Sequence, residues 1–294
     1  MANSPSCYIV DSHHGYVFRA ASNLLTQRNI HGGLVKTFLS ALLVILVMLP
    51  GGDVQAQISD INSAINKAGR QRMLSQRMAK AYFQIGQQID VDRSKRVLDT
   101  SIAVFDRQLV ELKNYAPTPE IKETYLKLER SWLAYKDVLV GAVPTPENGR
   151  KVLAISEDVL ALAHQATVEL EKKSGSNAGR LVNISGRQRM LSQRMAKYYQ
   201  AASWGVADSN GPTNLAKARK DFSDALLELA SATANTAPIN DGLDLVRQQW
   251  IFFESALNQK TGGDKRAQLA VATTSERILE EMESVVGLYE KLPR

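Results

Sequence analysis

The dodecapeptide GRQRMLSQRMAK occurs twice, letter for letter, from Gly69 to Lys80 and again from Gly186 to Lys197. A chain that repeats such a stretch must fold with two equivalent parts, and the flanking residues extend the likeness. Asn66 corresponds to Asn183; Phe105, Leu109, Glu111 and Leu112 correspond to Phe222, Leu226, Glu228 and Leu229. Trp132 corresponds to Trp250, Ser156 to Ser275 and Glu171 to Glu290. The offset drifts only from 117 to 119, so the chain is a tandem duplication of a unit of about 118 residues.

Beyond residue 57, Ala, Leu, Gln, Lys, Arg and Glu dominate, which favours helix, and no long alternating Val/Ile/Thr run marks a sheet. Turn signals (QIDVDRS, APTP and PTPENGR in the first copy; DSNGPTN, TAPIN and KTGGDK in the second) divide each unit into four segments. The spacing predicts helices over 58–88, 94–115, 119–141 and 149–174, then 178–204, 213–235, 239–260 and 264–291. Four helices joined by short loops make an antiparallel bundle. The expected fold is therefore all-α: two tandem antiparallel four-helix bundles, residues 57–175 and 176–294, packed as a pseudo-twofold dimer. SGSNAG, Ser174 to Gly179, is short enough to keep them side by side.

The N-terminal part reads differently. TFLSALLVILVMLP, Thr37 to Pro50, follows Arg28, His31 and Lys36 and precedes GGDVQA, the pattern of a secretory signal with cleavage expected after Ala56. Residues 34–56 are thus assigned as a signal peptide, retained as a membrane anchor if uncleaved, although the run is short for a span. Residues 1–33 read as a non-native or disordered extension, with Val35 as the expected start. Cys7, His13, His14 and His31 lie in this region, so the remainder has no cysteine and His164 as its one histidine. Disulfides, thiol nucleophiles and the usual thiolate or imidazole metal sets are excluded, and a periplasmic location follows.

With no carboxylate constellation, phosphate loop or nucleophile elbow, the chain is not expected to be an enzyme or to carry a metal or cofactor. His164, within LALAHQA, reads as a packed or surface histidine, and Trp132 and Trp250 as equivalent core residues. The pI of about 9.3 would suit a nucleic-acid binder, but an exported protein rarely meets one, so no nucleic-acid partner is expected.

On a helical wheel centred on Arg72, the residues Ile61, Ile65, Ala68, Ser75, Ala79 and Phe83 share its face, while Leu74, Met78, Ala81 and Ile85 lie opposite. Arg189 sits likewise among Ala178, Val182, Ser185, Ser192 and Ala196. Gly69 and Gly186 each remove a side chain one turn before the arginine. If the small-residue faces meet, the guanidiniums converge. Two such charges about 6 Å apart cost roughly 3 kcal/mol at an effective dielectric near 20. No Asp or Glu lies between Ile61 and Ile89 or between Lys172 and Ala207, so the compensating charge is a carboxylate on another helix or a diffusible anion. Arg70 and Arg187 fall nearly opposite this face, toward solvent or acidic side chains of a partner.

INKAGRQRMLSQRMAKAY and VNISGRQRMLSQRMAKYY resemble the first-helix signature of the PilJ-type sensor domain of type IV pilus chemoreceptors, which is related to the periplasmic domain of bacterial nitrate-sensing histidine kinases. The resemblance implies one small anion, nitrate or nitrite, held at the axis between two equivalent helices. It implies Arg72 and Arg189 as the ligands, with backbone near Gly69 and Gly186, and a lysine two residues before the glycine, here Lys67 but Ile184 in the second copy. Asn66, Asn183, Ser75 and Ser192 are the supporting residues. Planar guanidiniums suit a planar oxyanion. Those sensors flank the domain with membrane helices and a signalling region; nothing after residue 57 reads as a second span, so the message is expected to pass to a membrane sensor kinase or chemoreceptor. The competing reading is a ligand-free helical interaction module docking on such a receptor.

Overall fold

The computed structural model describes residues 58–262 and 264–293; the expected extension and signal peptide, and the cysteine and three histidines they hold, lie outside the described residues. The described residues form eight helices and no strand. They are α1 (Ile61–Gly86), α2 (Val91–Tyr115), α3 (Pro119–Gly141), α4 (Pro146–Ser174), α5 (Asn177–Ser203), α6 (Gly211–Ala230), α7 (Ala237–Leu257) and α8 (Lys265–Glu290).

Local chemistry explains most of the ends. Asp60 caps α1, its Oδ1 accepting from the backbone N–H groups of Asn62 and Ser63 at 2.8 and 3.0 Å. Thr118 and Thr145 cap α3 and α4, each followed by a proline whose missing N–H costs nothing at that position. Gly175, with φ of 61°, stops α4 in the left-handed region, and Ser176 opens α5 at once. The one sizeable departure from the expected ends is α6, which stops at Ala230 rather than 235. Asn235 Nδ2 donates back to Leu229 O at 2.8 Å and its Oδ1 accepts from Tyr289 OH at 2.7 Å, so side-chain bonds hold this Thr/Asn-rich stretch as a turn.

The helices make two antiparallel four-helix bundles, α1–α4 and α5–α8, packed as a pseudo-twofold pair through α1 and α5. Matching stacks close both cores: Phe105 on Trp132 with centroids 4.1 Å apart, and Phe222 on Trp250 at 4.6 Å. The expected equivalence of the tryptophans holds for the stacking but not for burial. Trp132 is fully buried and donates from Nε1 to Asp106 at 2.7 Å, whereas Trp250 is half-buried and Ser223 stands where Asp106 would be.

Helices α1 and α5 run side by side in the same direction, since contacts at Gly69–Gly186, Lys80–Gln193 and Gln87–Gln200 follow one another in order along both. The motif glutamines anchor each helix to its own bundle. Gln71 and Gln188 donate to the carbonyls of Phe105 and Phe222 at 3.3 and 2.8 Å, and Gln76 and Gln193 to those of Ser156 and Ser275, both at 3.0 Å. At the far end of the seam the indole of Trp204, beyond α5, lies against Gly86 and Gly149 of the first bundle, where there is no room for a methyl group on either glycine.

Candidate functional site

Helical side chains lean toward the N-terminus, so the guanidiniums of Arg72 and Arg189 fold back over the glycines three residues before them. A methyl placed on Gly69 would lie 3.2 Å from Arg72 Nη2 and 3.5 Å from Arg189 Nη2; one on Gly186 would lie 3.3 and 3.6 Å from the same two atoms in reverse order. The structure thus brings Gly69, Gly186, Arg72 and Arg189 together at the crossing of α1 and α5, with both guanidiniums fully buried.

Their hydrogen bonds cross the seam. Arg72 Nη2 donates to Asn183 O at 3.2 Å, and Arg189 Nη2 donates to Asn66 O at 3.2 Å and to Asn66 Oδ1 at 2.7 Å. The asparagines in turn donate to carboxylates on the opposite bundle, Asn66 to Glu290 at 2.6 Å and Asn183 to Glu171. Ser75 and Ser192 point their hydroxyls at the carbonyls of Arg72 and Arg189, both at 2.8 Å, and so brace the helix turns under the guanidiniums. Lys67 is engaged on α2, its Nζ donating to Glu111 at 2.5 Å. Of the polar atoms on these residues, Arg72 Nε, Arg189 Nε and Asn183 Oδ1 are buried without a hydrogen-bond partner.

The outer guanidinium atoms meet different groups. Arg189 Nη1 donates to Glu283 Oε2 of α8 at 2.5 Å, while Arg72 Nη1 donates to His164 Nδ1 of α4 at 3.3 Å. Neither partner is evident from the sequence. Glu283 also ion-pairs with Arg70, which corrects the expectation that Arg70 faces away toward a partner: the side chain wraps to the carboxylate that serves Arg189. Arg187 pairs with Asp221 of α6 at 2.6 Å. Burial lowers the Arg72 pKa to about 9, helped by repulsion from Arg187 and opposed by Glu171. Arg189 is lowered too, first by burial and then by Arg70 and Arg72, with Glu290 opposing.

One turn further along, the remaining motif cations bind carboxylates of the opposite bundle. Arg77 and Lys80 of α1 both pair with Glu276 of α8; Arg194 and Lys197 of α5 both pair with Glu157 of α4. Lys80 Nζ also donates to Gln193 Oε1 at 2.7 Å and Ser275 Oγ at 3.1 Å, and Lys197 Nζ to Ser156 Oγ at 3.1 Å. The acidic residues missing from the motif are thus supplied reciprocally by the fourth helix of the other copy. Burial would raise the Glu276 pKa, but Lys80 and Arg77 outweigh it and bring it to about 2.

No helix among the described residues is long and apolar enough to cross a membrane, and none of their His, Cys, Asp or Glu side chains cluster as a metal set. The family model described as "Type IV pili methyl-accepting chemotaxis transducer N-term" matches residues 54–157 and 173–251, one segment on each copy and more than half of the chain. Among curated proteins and among solved structures, nothing matches.

Proposed function

Given that the chain belongs to the PilJ family, whose domains are signalling modules of the chemotaxis-transducer type, we propose that it is a periplasmic sensor for a small oxyanion, nitrate or nitrite, gripped between its two copies by Arg72 and Arg189. The supporting observation is the convergence of two fully buried guanidiniums over facing glycines, with an Nε of each buried and unpartnered. A buried cation pair is costly unless negative charge is at hand, and a planar anion matches the fork of donors. The tightness over Gly69 and Gly186 restricts a guest to a few heavy atoms. Bound anion is then reported to a membrane chemoreceptor or sensor kinase.

The test is thermal unfolding in nitrate, nitrite, chloride and phosphate. Ligand at one hundred times its Kd stabilises the folded state by about 2.7 kcal/mol. Nitrate or nitrite is expected to raise the Tm, and Arg72→Met, which keeps volume and removes charge, to abolish the rise. A flat response to every anion overturns the reading.

A second reading, a ligand-free module that docks on the receptor, draws on apolar side chains exposed at matching positions of the two copies. Val110 and Leu227 are 48% and 68% exposed, and Leu133 and Ile251 are 54% and 66% exposed. Capture by receptor periplasmic domains that is indifferent to nitrate would favour it.

A further inference from the structure

The two ends of the arginine pair differ at one mirror position. Helices α4 and α8 correspond at an offset of 119, which sets His164 opposite Glu283. On the second copy, Arg189 Nη1 is held by the Glu283 carboxylate at 2.5 Å. On the first, Arg72 Nη1 donates to the Nδ1 edge of a neutral imidazole at 3.3 Å, which accepts without bringing charge. The rest of the Arg72 guanidinium fares no better: Nη2 goes to the Asn183 carbonyl, Nε has no acceptor, and the side chain ion-pairs with no carboxylate among the described residues. One buried guanidinium is therefore in direct contact with a carboxylate, whereas the other reaches one, Glu171, only through Asn183.

We infer that Glu283 sets the charge class of the guest: the seam takes a monoanion, seated toward Arg72, and refuses a dianion. This rests on the oxyanion reading above. Both Nη2 atoms reach the same point over Gly69, so an anion there touches both guanidiniums, with the Glu283 carboxylate bound to the Nη1 side of Arg189. A single negative charge is balanced by Arg72. A second would face Glu283, which is held in contact with Arg189 and screened by water only on its outer side, its side chain being 36% exposed, and a misplaced like charge there discriminates against a dianion. Glu283 is itself kept in place by Arg70, so it does not simply swing aside. His164 supplies the other half of the design. It occupies the mirror position without a charge, and as an exposed residue it stands between Arg72 and solvent.

The experiment uses the full chain and calorimetric titration with sodium nitrate and sodium sulfate at constant ionic strength. Wild type is expected to bind nitrate and to leave sulfate unbound. Glu283→Gln is expected to improve sulfate binding relative to nitrate by at least tenfold. His164→Glu, which places a carboxylate on Arg72 at an exposed position, is expected to weaken nitrate binding at least tenfold with helix content unchanged by circular dichroism. Nitrate binding by wild type with an unaltered sulfate preference in Glu283→Gln, or with full nitrate affinity in His164→Glu, overturns the assignment and leaves the oxyanion reading standing. Should Glu283→Gln not fold, His164→Glu decides. Binding of neither nitrate nor, in a parallel titration, nitrite by wild type removes the oxyanion reading, and this inference with it.

Discussion

Arg72 and Arg189 occupy the same place in the same motif, yet one faces an imidazole and the other a carboxylate. The difference is measurable at His164. Partial desolvation of the ring where it meets Arg72, then the neighbouring charges of Arg72 and Arg187, lower its pKa from 6.5 to about 4. Its Nδ1 accepts from Arg72, so protonation both breaks that bond and sets a cation beside a cation. The depressed value means that the unfolded chain takes up the proton first; stability present above pH 6.5 is lost as pH falls toward 4. NMR titration of the imidazole should give a midpoint well below 6.5, and Arg72→Met should move it back up. A midpoint near 6.5 in the wild type would show that the contact does not form. The arginine pair was legible in the sequence because a small-residue face surrounds each residue and a glycine precedes it. Glu283 and His164 were not, because the fourth helices share too few letters to reveal which residue comes over the seam. A wheel misplaces Arg70 because it gives the direction of a Cα–Cβ bond, and a long flexible side chain does not have to follow it.

Helices α1 and α5 each give two cations to the opposite bundle, but the two receiving carboxylates are not equally enclosed. The Glu276 side chain is 8% exposed and that of Glu157 is 32% exposed. Removing one partner of an enclosed ion pair leaves uncompensated charge and costs about 3–5 kcal/mol, with much less at a solvated site. Glu276→Gln should therefore lower the urea midpoint clearly more than Glu157→Gln; equal losses would contradict the difference in enclosure. The same carboxylate predicts acid sensitivity. With its pKa held at about 2 against 4.5 when unpaired, Glu276 contributes stability that is present above pH 4.5 and drains away as pH falls toward 2. Helix identity and most helix ends were readable, since Thr–Pro starts and the Gly175 stop are local signals. The reciprocal pairing was not, although each of the matched serines, Ser156 and Ser275, is followed by the glutamate concerned. A carboxylate about 80 residues from its own copy's motif gives no hint that its partner lies in the other copy.

For the molecule as a whole, the seam between α1 and α5 holds the cations of both copies and the anions that neutralise them, so neither bundle can open without exposing the other's buried charge. Unfolding should therefore be a single transition. Variants that keep Trp132 alone, in the first bundle, or Trp250 alone, in the second, should give fluorescence curves that coincide with each other and with circular dichroism; two separated midpoints would show that the halves are energetically independent. The duplicated architecture was the most legible feature of all, because twelve identical letters require two like environments. What identity of letters conceals is where the two environments part. A receptor assembled from two identical subunits inherits every mutation twice, on both sides of its axis. Here the two sides are separate stretches of one chain, so His164 and Glu283 can differ, and a substitution at either position changes the group that faces one guanidinium while the other stays as it was.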